Sequence, residues 1–261
     1  MTAATIGAAG KARRGRKAAP RPASLVLVGH GSRDPRSAAA LAGVANRVRI
    51  ERPGLSVHLS FLELSIPSVD RVLAGLDGPA VVVPLLLGAA YHARVDLPAR
   101  LAAAAAVNPY APGQAARTLG SDTQLDDVLA SSARQVGGDG YLLFGPGSSH
   151  GAANEEVHLR ARRLSRLLEV PVRAAFVTTE SSVAEGVAGL IADGSRRPAA
   201  LPWFLAPGRL LDRGLDQLAA AGVPRTAGPL AFDSRLAGVV LSRYDEQVAL
   251  RTSGAWAPIA R

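Results

Sequence analysis

The chain has 261 residues, 48% of them hydrophobic, and a formal net charge of +9, which suits a globular α/β protein of one large or two smaller domains and argues against a disordered one. It contains no cysteine, which excludes disulfides, thiolate zinc sites, cysteine nucleophiles and cysteine-held iron–sulfur clusters. No apolar run is long enough to span a bilayer, and residues 1–23 are basic without the apolar stretch of a secretory leader, so a cytoplasmic location is expected.

Lys11, Arg13, Arg14, Arg16, Lys17 and Arg21 supply +6 of the net +9, which leaves +3 for the rest of the chain. Residues 1–23 are rich in Ala, Gly and Arg, lack apolar periodicity and are read as a disordered tail. A basic arm can touch nucleic acid or anionic membrane. The remainder shows no basic patch interleaved with aromatic residues, so neither partner is expected.

The first strand is read at Leu25–Val28, ending at Gly29. Asp34 and Pro35 form a helix start, as N-cap and first helical residue, and Arg52-Pro53-Gly54 stops that helix. Residues 55–62 form the second strand, and Pro67 opens a second helix. Residues 81–87 are the most apolar strand candidate and are expected at the sheet centre, with a bulge at Pro84 because proline cannot join a central ladder. Asp96 and Pro98 start a third helix. Residues 115–119 are read as a fourth strand and residues 122–135 as the helix that follows it.

Strands alternating with helices predict a parallel sheet, with the carboxyl ends of the strands on one edge, where ligands of open α/β sheets bind. The pattern then recurs. Val28-Gly29-His30-Gly31-Ser32 aligns with Phe144-Gly145-Pro146-Gly147-Ser148, Phe61-Leu62 with Phe176-Val177, Val83-Pro84-Leu85 with Leu201-Pro202-Trp203, and Thr118-Leu119-Gly120 with Pro229-Leu230-Ala231. A period this long predicts a duplicated domain: a half at 24–137, a second at 138–250 and a terminal tail at 251–261.

His30, Glu63 and His92 each follow a strand of the first half, so all three project from one sheet edge. Two imidazoles and a carboxylate suit a divalent metal and can also accept protons near neutral pH. The second half has Pro146 for His30, Thr178 or Thr179 for Glu63, and Gly208-Arg209-Leu210 for His92. A structural need would recur with the repeat, whereas these residues occur once, so the first half is read as the active one. Ser32 and Arg33 sit where a helix start would meet an anionic ligand. His58 is read as partly exposed or a packing residue, and His150 and His158 as surface residues.

These motifs resemble the sirohydrochlorin cobaltochelatase/ferrochelatase family of class II chelatases. The resemblance rests on Val28-Gly29-His30-Gly31-Ser32-Arg33, on Phe61-Leu62-Glu63-Leu64 with Pro67, and on Val83-Pro84-Leu85-Leu86-Leu87-Gly88 leading to Tyr91-His92 and Asp96-Leu97-Pro98. It implies two tandem chelatase-like α/β halves, each a four-stranded parallel sheet flanked by helices, facing a cleft. It also implies that His30 and His92 bind the metal, with Glu63 ligating it or taking protons, and that Fe2+ or Co2+ enters sirohydrochlorin, with Fe2+ favoured. Ser32, Arg33 and Arg94 would contact the acidic macrocycle. No cofactor is expected to stay bound, and no iron–sulfur cluster. Two halves that mimic a dimer predict a monomer. A non-catalytic carrier of metal or tetrapyrrole is the alternative, and a regulator acting through the basic arm is a third reading.

Overall fold

The computed structural model describes residues 22–88, 95–112, 114–178 and 183–252. His92 and Arg94 lie outside the described residues, as do nearly all of the N-terminal tail and most of the C-terminal one.

Strand β1 (Ser24–Gly29) lies between β2 (Val57–Phe61) and β3 (Ala80–Pro84), all parallel. Leu25 and Leu27 enter one core and Val26 and Val28 another, which is why this strand reads as an unbroken apolar run. The second half repeats the order, with β4 (Gly140–Gly145) between β5 (Val172–Phe176) and β6 (Pro198–Pro202). The registers repeat as well: Gly29 faces Phe61 as Gly145 faces Phe176, and Val28 faces Pro84 as Phe144 faces Pro202.

Two expectations are corrected. The centre of the first sheet is β1, not the stretch at 81–87. Pro84 needs no bulge because it is the last residue of β3, and the Leu85 N–H resumes the ladder to the Val28 carbonyl at 2.8 Å. Each sheet has three strands among the described residues, not four. The fourth segment makes one parallel bridge, Val82 to Ala115 in the first half and Ala200 to Thr226 in the second. The chain then leaves the edge for a 3-10 turn, Leu119–Ser121 or Leu230–Phe232. In the first half this turn runs so close beneath Leu87 that a Cβ on Gly120 would fall 1.5 Å from the Leu87 carbonyl oxygen.

Helix α1 (Pro35–Glu51) starts as read, with the Asp34 carboxylate accepting from the Arg36 N–H at 2.9 Å. The outer face of the first sheet is covered by α2 (Val69–Ala74) and α3 (Leu97–Val107). That of the second sheet is covered by α6 (Val183–Ala192) and α7 (Arg209–Ala220). The inner faces share one core with α1, α4 (Gln124–Val136), α5 (Gly151–Leu168) and α8 (Leu236–Thr252). Here the halves exchange their last helices: α4 packs on β6 of the second half, and α8 packs on β3 and α1 of the first. Buried ion pairs cross the same seam, Asp126 with Arg160 and Asp122 with Arg243. Among the described residues no helix is long and apolar enough to cross a membrane.

Candidate active site

The loops after β1 and β2 stay paired beyond the sheet. The Leu62 N–H donates to the Gly29 carbonyl and the Glu63 N–H to the His30 carbonyl, both at 3.0 Å. Gly31 then turns with φ +96°, and a Cβ there would lie 1.6 Å from the Glu63 carbonyl oxygen, so only glycine fits. The Ser65 hydroxyl closes the clasp, accepting from the Ser32 N–H and donating to the Ser32 carbonyl, both at 3.1 Å.

This clasp sets His30 Nε2 3.4 Å from Glu63 Oε1, with both side chains partly open to solvent. His30 Nδ1 lies 3.1 Å from the Gly31 carbonyl. The Gly31 carbonyl and the Glu63 carboxylate can both only accept, so each ring nitrogen of His30 faces an acceptor. Bonds of about 2.1 Å from His30 and Glu63 to one ion would meet near the tetrahedral angle across that gap. The structure thus brings together two of the three residues expected to bear the chemistry. His92 and Arg94 lie outside the described residues, and among those described no cluster of three His, Cys, Asp or Glu side chains forms.

The second half keeps the scaffold without the chemistry. The Thr178 N–H donates to the Pro146 carbonyl at 3.1 Å, as Glu63 does to His30, but the Thr178 hydroxyl donates to that carbonyl too. Asn154 clasps the backbone of Ser148 as Ser65 clasps Ser32.

Of the residues expected to meet substrate, Ser32 helps to build its own turn, its hydroxyl accepting from the Asp34 N–H at 3.0 Å. Arg33 is exposed. His58 is half-buried, with Nε2 3.1 Å from the Ser56 hydroxyl. His150 is exposed, and His158 meets the Phe176 ring edge-on at 5.4 Å.

His30 opens into a cavity of about 260 Å3 between the halves. Leu86, Leu87 and Gly88 line one side, and Pro146, Asn154 and Trp203 of the second half line the other. Sequence reasoning missed this contribution. Trp203 is nearly buried, and the Arg160 guanidinium sits 4.4 Å from its ring centre, a cation–π contact in a desolvated place. Burial pulls the Arg160 pKa down to about 10, against the opposing charge of Asp126. The available signals were a tryptophan where the first half has Leu85, and an arginine one turn from Val157 and Leu164 on the apolar face of α5.

Two parallel α/β halves that repeat each other's registers around one cleft, with an imidazole–carboxylate pair on one lip only among the described residues, define a tandem chelatase-type fold. A profile of the CbiX family matches residues 24–136 and 140–247, and the chain belongs to that family. Sirohydrochlorin cobaltochelatase of Priestia megaterium is 26% identical over 204 residues, 73% of this chain and 66% of that protein. Sirohydrochlorin cobaltochelatase of Methanococcoides burtonii is 30% identical over 78 residues, 28% of this chain and 60% of that protein. The chain therefore spans 66% and 60% of the length of these two curated relatives, less than two thirds of either. Among solved structures, SirB from Bacillus subtilis with Fe3+ superposes with a TM-score of 0.74 at 23% identity, covering 88% of this chain and 97% of that one. CbiX, described as the terminal enzyme for siroheme biosynthesis in denitrifying bacteria, gives 0.65 at 22% identity, covering 85% and 98%. At these identities the two structures bear on the fold alone.

Proposed function

We propose that this chain is a lyase that inserts a divalent metal into sirohydrochlorin, releasing two protons per metal. The observation that carries this reading is the His30–Glu63 pair at 3.4 Å on the lip of the cleft, absent from the repeat. Family membership and the names of the curated relatives support it. The metal is a substrate: His30 Nε2 and one Glu63 oxygen replace two of its waters, and His92 is the expected third ligand. As the metal moves to the pyrrole nitrogens, Glu63 is freed to take a departing proton. Fe2+ is the first metal and Co2+ the next, because the chain has no cysteine to hold a cluster. The relatives' names favour Co2+, and affinity order alone does not decide between the two. Residues 24–137 form the active half and 138–250 the degenerate one. The two halves stand in for two subunits, so the working unit is one chain.

The test is anaerobic absorbance of sirohydrochlorin with Fe2+ and with Co2+, using the wild type and His30→Ala. Faster metallation than background by the wild type and none by the variant supports the reading, and the faster metal names the product. No acceleration with either metal, together with tetrapyrrole binding, would identify a carrier instead.

A further inference from the structure

Behind Trp203 a second cavity of about 270 Å3 runs into the seam between the halves. It adjoins the His30 cavity over Leu87, Gly88, Ala153, Val157 and Trp203, which line both. Each cavity alone falls short of the roughly 300–1,000 Å3 that a drug-sized ligand occupies. A tetrapyrrole needs more than one of them, and the shared wall lets a ring placed over His30 reach into the inner cavity.

The far wall of that cavity is polar, with Arg160, Arg163 and Glu156 on α5 and Thr118, Ser121 and Thr123 leading into α4. Arg160 is fully engaged: it pairs with Asp126, donates to the carbonyls of Gly120 at 2.8 Å and Asp122 at 3.2 Å, and backs the Trp203 ring. Arg163 is engaged at one nitrogen, its Nε donating to Asp126 at 2.7 Å. Its two terminal nitrogens make no hydrogen bond to the described residues, and its side chain is 37% exposed. Asp126 is therefore one carboxylate shared by two guanidinium groups, which leaves a net positive charge at Arg163. Glu156, exposed on the same wall, sets a limit on how far that charge reaches. Thr123 precedes α4 without using its hydroxyl as a cap, because Asp122 accepts from the Gln124 N–H at 2.8 Å.

The geometry points to this inner cavity as the seat of one carboxylate arm of the macrocycle, held by the terminal nitrogens of Arg163 and the Thr123 hydroxyl. This rests on the chelatase reading, since the arm belongs to sirohydrochlorin. An apolar ring then packs on Leu87 and Trp203 while a charged arm reaches the guanidinium, and this anchor fixes which part of the ring lies over His30. The degenerate half, with Pro146 where the first half has His30, would then orient the substrate.

The experiment measures macrocycle binding by quenching of Trp203 fluorescence in a Trp256→Phe background, where Trp203 is the remaining tryptophan. Arg163→Gln and Thr123→Glu are titrated with sirohydrochlorin and with its fully esterified form. Thr123→Glu puts a carboxylate where a helix start tolerates one, so it keeps the fold while repelling the arm. The expected result is free-acid binding weakened about tenfold in both variants, the size of a lost charge-assisted hydrogen bond, with ester binding unchanged. Free-acid affinity equal to the parent, or equal losses for acid and ester, overturns the subsite. A parent that binds neither macrocycle overturns the chelatase reading itself and the subsite with it.

Discussion

His30 and Glu63 leave neighbouring strands joined by one backbone hydrogen bond of 3.0 Å, and their side chains meet at 3.4 Å. The spacing of the pair is therefore set by the sheet, whose pairing runs two residues past its last strand position. Glu63→Gln keeps the size of the side chain and removes its charge. Metallation is expected to slow by about 10²- to 10⁴-fold, the usual contribution of a positioned acid–base group, with sirohydrochlorin affinity retained. Anaerobic stopped-flow absorbance and a binding titration read the two effects separately.

The clasp makes a second prediction at Gly31. A Cβ there would lie 1.6 Å from the Glu63 carbonyl oxygen, whereas Gly54 has a similar φ of +87° and nothing within 4 Å. Gly54→Ala is expected to cost about 1–2 kcal/mol for its left-handed backbone alone. Gly31→Ala must also push the two loops apart, so it should cost more and abolish metallation. Urea unfolding and the absorbance assay on both variants check this. Equal costs with activity kept in Gly31→Ala would mean that the loops separate freely.

Much of this was legible in the sequence because single residues carried it. Burial on both faces makes β1 an unbroken apolar run, Asp34-Pro35 marks the start of α1, and the repeat anchors Gly29/Gly145 and Pro84/Pro202 reappear as strand registers. The helix exchange was not legible, since the apolar stripes of α4 and α8 require a buried face without saying which sheet covers it. Residues 115–119 have strand-like composition, but one bridge suffices before the chain turns under Leu87. Arg160 is not singled out in the sequence because its partners Asp126 and Trp203 are 34 and 43 positions away. His92 and Arg94 lie outside the described residues, so their roles stay as proposed.

Arg52, at the end of α1, grips Asp245 of α8 with two hydrogen bonds of 2.8 and 2.9 Å. Those bonds, ahead of the burial that opposes them, hold the Asp245 carboxyl below its ordinary pKa. A folded-state pKa below the unfolded value of about 3.9 means stability that is present above that pH and is lost as pH falls through the folded value. Both side chains are more than one third exposed, so solvent screens the pair. Asp245→Asn is expected to cost less than about 1 kcal/mol at pH 7, with the difference fading below about pH 4 and shrinking in high salt. Urea unfolding across pH measures it, and a cost that persists at pH 2 would assign the effect to packing.

The Asp122–Arg243 pair, at 3.0 Å, differs because both side chains are buried and it ties the first half to α8 of the second. Asp122 also accepts from the Gln124 N–H at 2.8 Å, at the start of α4. Arg243→Met removes the cation and leaves Asp122 buried, with a loss of about 3–5 kcal/mol expected. Adding Asp122→Asn keeps an acceptor for Gln124 and removes the stranded charge, so the double variant should recover most of that loss. Glu246, the other partner of Arg243, is 41% exposed and can turn to water. A double-mutant cycle in urea measures the coupling, and simple additivity of the two changes would show that the pair does not join the halves.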